Sequence, residues 1–293
     1  MDDNNLLNDD DKILPSNPEY KEKAEKQKSS EISHLAEIEV KTLDEYITII
    51  EKYKNEGFSF YRGDKFSDIN NIELIPKVYK EEYKCLCDTH DEAITEFAEL
   101  TTGKISIASN GFLEDMINAQ HYELPTRLLD WSESALIALY FAVFPKINKN
   151  NETPLDSIIW LLHPIQLNSK TELHGLISID KNDSPSIEKY YKSEEKSGLE
   201  KYPLAVKTRK INPRIDAQQG VFVLFCKYDR HKSLHLYSDA KTFLKRIIIK
   251  QKNAINIYNS LVSLGITQYS IFPEPQSISI DIIVRRNKDL GGK

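Results

Sequence analysis

The chain has 293 residues, 40% of them hydrophobic, with 11 Phe and 15 Tyr, enough apolar mass for one large domain or two small ones with a substantial core. Its formal net charge of −6 sets the global field against phosphate backbones and anionic membranes, so a nucleic-acid role needs a local basic patch. No apolar run reaches the roughly 18 residues of a membrane helix, and the first residues are Asp and Asn rather than a basic and then an apolar region, so a cytoplasmic protein without a signal peptide is expected.

Residues 1–33 are rich in Asp, Asn, Lys, Glu and Ser and poor in apolar anchors, so they are expected to form a disordered acidic tail or a partner-binding arm. Order is expected from about Ile38, with the domain running over 34–293. Thr42 and Glu45 form a capping-box pattern ahead of Tyr46, Ile49, Ile50 and Tyr53, which predicts a helix ending at Gly57. Phe58 to Gly63 reads as a short strand that ends in a glycine turn.

Segments 91–103 and 112–122 read as amphipathic helices, and Glu133 to Phe144 as a helix apolar on all sides and therefore close to fully buried. Beyond the polar loop 146–156, the runs Ser157–Leu162, Pro203–Lys207, Val221–Lys227, Leu244–Ile249 and Ile278–Val284 read as strands. Asn256–Leu264 reads as one more helix, closed by Gly265. A mostly helical first half and a strand-rich second half predict an α+β fold, with helices packed on a mixed or antiparallel sheet.

Cys85, Cys87 and Cys226 are an odd number, and the one-residue gap between the first two suits neither a disulfide nor zinc, so all three are expected to be reduced thiols. The histidines other than His121 (His34, His90, His163, His174, His231 and His235) show no metal-ligand spacing with Cys or carboxylates, so no metal is expected.

Three segments carry a family resemblance. They are Phe60-Tyr61-Arg62-Gly63, the long block from Gln120 through Pro125-Thr126-Arg127 and Asp130-Trp131-Ser132 to Ala142, and Arg214 to Phe222. A weaker match runs from Leu264-Gly265-Ile266 to Ile271-Phe272-Pro273. On these blocks, which span about 58–280, the chain is identified as a member of the bacterial FRG-domain family. Glu123 departs from the pattern, which has glycine there. The order Arg62-Gly63, then Ser132 or Ser134 leading into the helix 133–144, then Gln218 or Gln219 ahead of a strand, also resembles that of ADP-ribosyltransferases. Those enzymes carry Glu on the last strand, so Gln is a departure: an amide cannot act as a base.

The residues give the following expectations. Arg62, at the end of an apolar strand, needs anionic or carbonyl partners, either within the fold (Asp130 being one candidate) or on a ligand's phosphate or ribose. It is expected to share a cavity with His121 and Arg127, with Tyr61 and Gly63 beside it. His121 could position or deprotonate a hydroxyl with Asp130 orienting it, or these groups could fix the Pro125-Thr126 turn. Ser132 and Ser134 line the site or cap the helix. Gln218 and Gln219, if extended, point to opposite faces, so only one can face the pocket. Lys207, Arg209, Lys210 and Arg214 are either a solvated face or a nucleic-acid contact, with Tyr190 and Tyr191 available for stacking.

The resemblance implies an enzyme that uses NAD, an ADP-ribosyltransferase-like transferase or hydrolase acting as a toxin or phage-defence effector on a nucleotide-bearing substrate. Arg62 would then grip the phosphate or ribose, with His121, Gln219 and Asp130 nearest the chemistry. The alternatives are a non-catalytic nucleotide- or RNA-sensing module, which the glutamines favour, and a nucleic-acid-processing enzyme, which the acidic balance opposes. Oligomeric state is not legible in the sequence.

Overall fold

The computed structural model describes residues 35, 37–66, 68–69, 72–105, 109, 111–145, 155–179, 184–193, 201–227 and 232–291. The expected acidic tail, His34, His231 and most of the loop 146–156 lie outside them. Eight strands, β1 (Glu37–Glu39), β2 (Phe60–Phe66), β3 (Leu128–Ser132), β4 (Asp156–Leu162), β5 (Ile177–Ile179), β6 (Leu204–Thr208), β7 (Gly220–Leu224) and β8 (Leu244–Ile249), form one sheet. Their order is β1-β8-β4-β2-β3-β7-β6-β5. The sheet is mixed: β1 with β8 and β5 with β6 are parallel, and the other pairs are antiparallel.

The helices among the described residues are α1 (Leu43–Asn55), α2 (Lys84–Asp88), α3 (His90–Thr101), α4 (Phe112–His121), α5 (Ala135–Val143), α6 (Pro164–Asn168), α7 (Ser184–Lys192), α8 (Pro213–Gln218), α9 (Ala240–Phe243), α10 (Gln251–Ser263), α11 (Gln268–Ile271) and α12 (Pro275–Gly291). The fold is thus α+β, with five of the eight strands after residue 150. None of these helices is long and apolar enough to cross a membrane. The three cysteines are free thiols.

What positions the site is an interruption in the sheet. β2 shares seven register positions with β4 and β3 shares five with β7, but β2 and β3 meet at Tyr61↔Ser132 alone. The sheet is therefore two four-stranded halves joined at one residue pair. One apolar cluster, including Phe60, Trp160, Trp131 and Val223, spans both halves on one face. On the other face each half has its own cluster, one around Tyr61, Leu139 and Ile247 and the other around Leu128, Ile117 and Phe222.

Gly63 sets the approach of α5 to β2. A Cβ there would lie 1.8 Å from the Ala138 carbonyl oxygen, so only glycine lets the helix settle onto the strand. The expected glycine turn is accordingly absent, and β2 runs through Gly63 to Phe66. The α5 helix is buried at Leu139 and Tyr140 as expected, but Phe141 is 37% exposed and Leu136 and Phe144 are only partly buried, because the helix lies at the edge of the split. Ser134 caps it, its hydroxyl accepting from the Ile137 N–H at 3.4 Å.

At α1, Thr42 accepts from the Glu45 N–H as expected, while Glu45 reaches back to the N–H of Lys41 at 2.7 Å rather than to that of Thr42. Ile278–Val284, expected as a strand, lies within α12. Its isoleucines alternate, but Pro275 opens a helix, and Asp281 accepts from the Gln268 and Tyr269 N–H groups at 3.1 and 2.9 Å, capping α11. A strand would lose that cap.

Candidate functional site

The split opens into a cavity of about 280 Å³. Its walls come from β2 (Tyr61 to Asp64), β3 (Asp130 to Ser132), α4 (Gln120, His121), α5 (Ala138, Phe141), α8 (Arg214, Gln218) and β7 (Gly220, Phe222). A second cavity of about 350 Å³ adjoins it and shares Arg62, Gln120 and Asp130. The three polar blocks picked out in the sequence therefore converge, although about 150 residues separate the first from the last.

Arg62 stands between the cavities. Its Nη1 donates to the Asp130 carbonyl oxygen at 2.8 Å, and its Nη2 lies 3.6 Å from Asp64 Oδ2. Its Nε is buried and has no partner. The internal partner expected at Asp130 is thus the backbone carbonyl, not the carboxylate. A guanidinium has five N–H donors in a fixed fork, so much of this one remains available to a ligand.

The Asp130 carboxylate is engaged elsewhere. It accepts from Gln120 Nε2 at 2.6 Å, and Gln120 Oε1 in turn accepts from the Thr126 hydroxyl. Asp130 therefore orients Gln120 rather than His121, and of the two expected alternatives its carboxylate takes the second, a network that reaches the Pro125-Thr126 turn. His121 does line the cavity, edge-on to the Tyr122 ring at 4.8 Å. Burial, helped by the positive charge of Arg214 and opposed by Glu274, lowers its pKa and favours the neutral ring.

Ser132 ties the end of β3 to the turn from α8 into β7. Its hydroxyl donates to the Gln218 carbonyl at 2.7 Å and accepts from the Ser134 N–H at 2.9 Å. Of the two serines, Ser132 lines the cavity and Ser134 caps the helix. Tyr61 lines it too; its hydroxyl donates to the Phe58 carbonyl at 2.9 Å, and burial pushes its pKa up.

The glutamines are not extended. Gln218 ends α8 and lines the cavity with its Nε2 buried and unpartnered. Gln219 is left-handed, with φ of 47°, and turns the chain from α8 into β7, its carbonyl accepting from the Glu133 N–H at 2.9 Å. Gln219 is exposed and outside the cavity. A helix end in place of a strand start makes the choice between them.

Arg127 is a correction. It is 4% exposed and lies outside the walls of both cavities, donating to the Tyr79 hydroxyl at 2.9 Å and the Cys87 carbonyl at 2.8 Å, with its guanidinium over the Tyr79 ring. It ties β3 to the segment below the sheet. The basic run is largely paired: Lys207 with Glu133, Lys210 with Asp216, and Arg209 with Glu114 through two bonds of 2.8 and 2.7 Å. Arg214 faces the cavity and stacks on Phe272 at 4.7 Å. Tyr190 and Tyr191 are buried, and Tyr191 donates to Asp91 at 2.6 Å, so neither offers a face for stacking.

Sequence reasoning missed Asp64. It lines the first cavity, where among the described residues the only other carboxylate is that of Asp130. Its side chain is 46% exposed and its Oδ1 accepts from the Lys65 N–H at 2.9 Å. The signal was its spacing of two from Arg62, which places both on one face of a strand, but the expected turn at Gly63 hid it. No group of His, Cys, Asp and Glu among the described residues is placed to hold a metal.

Residues 58–152, which hold β2, β3 and the helices between and after them, match the family model described as the FRG domain. The match ends before the segment 214–222 that supplies Arg214 and Gln218. No curated protein and no solved structure matches the chain.

Proposed function

We propose that this FRG-domain chain binds a nucleotide, NAD fitting best, and acts on it in the manner of an ADP-ribosyltransferase or NAD hydrolase. The observation that carries the reading is the meeting of Arg62, Ser132 and Gln218, from three separate segments, in one cavity with two buried donors unpaired, Arg62 Nε and Gln218 Nε2. Unpaired buried donors cost free energy until an acceptor arrives. A ribose or phosphate supplies acceptors in quantity, and Phe141 and Phe222 give the cavity apolar walls for a ring.

In such a reaction the bond between the ribose C1′ and the nicotinamide nitrogen breaks, with its electron pair leaving on nicotinamide. A hydroxyl or water then bonds to C1′ and gives its proton to a base. Gln218 can hold a ribose hydroxyl but cannot take that proton or carry the charge that steadies an oxocarbenium-like transition state. Asp64 is the carboxylate left for this role, since that of Asp130 is held by Gln120.

The test is to incubate the purified protein with NAD and follow nicotinamide release together with thermal stability. Release with a stability shift supports the enzyme. A shift without release supports the second reading, a nucleotide sensor, which the amide of Gln218 favours. A protein that shows neither release nor a shift removes NAD from consideration.

A further inference from the structure

We infer that the second cavity is a pyrophosphate subsite, so that a dinucleotide lies across the split with its ring end in the first cavity and its phosphates against Arg62, Lys77 and Lys80. The inference rests on the reading of the first cavity as the seat of a nucleotide.

Size comes first. Pockets that bury most of a drug-sized ligand begin near 300 Å³. The first cavity, at about 280 Å³, takes one end of a dinucleotide, and the adjoining 350 Å³ has room for the rest. The cavities also share Arg62, Gln120 and Asp130 as wall residues, at the place where β2 and β3 share no further register pair.

Charge comes second. The lining of the second cavity holds three cations, Arg62, Lys77 and Lys80, and two carboxylates, Glu123 and Asp130. Asp130 is engaged by Gln120. Lys77 and Lys80 flank a short 3₁₀ turn that opens at Pro76, and neither is paired with a carboxylate among the described residues, although Lys77 Nζ sits 5.4 Å from the centre of the Tyr83 ring. In a chain of net charge −6 this is a local excess of positive charge facing a cavity. Two lysines supply mobile point charges, and Arg62 supplies a planar fork suited to two phosphate oxygens.

Third, Arg62 touches both cavities and keeps a buried Nε without a partner. A pyrophosphate placed at the junction gives that fork its acceptors.

The experiment is calorimetric titration of the full chain with inorganic pyrophosphate, and separately with NAD and a short single-stranded oligonucleotide. Pyrophosphate should bind the parent. The double variant Lys77→Ala and Lys80→Ala should weaken it at least about tenfold, the loss expected for a charge-assisted contact, while Glu123→Gln should tighten it. All three side chains are exposed, so the variants should keep the parent's melting temperature. Pyrophosphate that fails to bind, or binds the double variant as it binds the parent, overturns the subsite. So does an oligonucleotide that binds where pyrophosphate does not. If NAD binds the double variant undiminished, the subsite falls and the nucleotide reading stands. If pyrophosphate binds through the lysines while NAD neither binds nor is cleaved, the anion site stands and the NAD reading falls.

Discussion

The Arg62 guanidinium donates to the Asp130 carbonyl across the split at 2.8 Å, bridging strands whose ladder ends at Tyr61 and Ser132. One side chain therefore serves as a strut of the fold and as a cation of the first cavity. Arg62→Lys keeps the charge but loses the fork. It should weaken nucleotide binding at least about tenfold, as expected for a lost charge-assisted bond, and it should also lower the melting temperature. A variant that binds NAD as tightly as the parent would remove Arg62 from the site.

The two glutamines should separate cleanly. Gln218→Ala should weaken ligand binding by about 1–3 kcal/mol, the cost of a lost buried hydrogen bond. Gln219→Ala should leave binding unchanged, since its side chain is outside the cavity. Asp64→Asn should abolish nicotinamide release with binding retained, and Gln218→Glu should create or raise it. Binding and release measured on the same four preparations decide the matter, and an Asp64→Asn protein that still releases nicotinamide refutes the role given to Asp64.

Leu139 is fully buried in the cluster beneath β2. Leu139→Ala should cost on the order of 2–5 kcal/mol through the cavity it leaves. A denaturant titration with a loss below about 1 kcal/mol would contradict the central place given to α5.

Glu123 holds φ at 71°, in the left-handed region. A non-glycine residue there carries about 1–3 kcal/mol of strain, and glycine gives back roughly 0.5–1 in unfolded-chain entropy. Glu123→Gly should therefore stabilise the protein by about 1 kcal/mol. Thermal or chemical denaturation that shows a loss instead would mean the carboxylate contributes more than its backbone costs.

His90, His121 and His163 all lie below the ordinary histidine value of 6.5, with burial the leading cause in each. The unfolded chain takes up these protons first, so it binds more of them as pH falls through 6.5. Stability should drop over that interval and level off below the folded values. His90 is 1% exposed, with Asp91 favouring its proton and Arg127 and Lys227 opposing it. In His90→Gln the fall in melting temperature between about pH 7.5 and 5.5 should be smaller than in the parent. An equal fall would assign the pH dependence to other groups.

What the sequence disclosed follows from which forces act locally. Ser157–Leu162 is apolar after its first residue and Leu244–Ile249 closes on three isoleucines, and both are interior strands of the sheet. Thr42 and Ser134 announce the helices they cap. Ile278–Val284 misled because alternating isoleucines fit a strand locally, while Pro275 and the bond from Asp281 to α11, a tertiary contact, hold a helix. Arg127 and Arg62 look alike in sequence, each beside apolar residues, and only the Tyr79 hydroxyl and the Cys87 carbonyl separate the buried one from the one in the cavity. The carboxylates that neutralise Lys207 and Arg209 come from Glu133 and Glu114, too far along the chain for spacing to reveal.

A sheet joined at one residue pair is mechanically a pair of leaves on a spine. The cluster of Phe60, Trp160, Trp131 and Val223 runs continuously behind both leaves, whereas in front each leaf carries its own packing. Spreading the front edge disturbs one ladder position, the Arg62–Asp130 bond and the stacking of Arg214 on Phe272, while the members of each front cluster stay on their own leaf. Compliance is therefore concentrated where the cavities are. A ligand entering between the leaves would meet the part of the sheet held by a single ladder position.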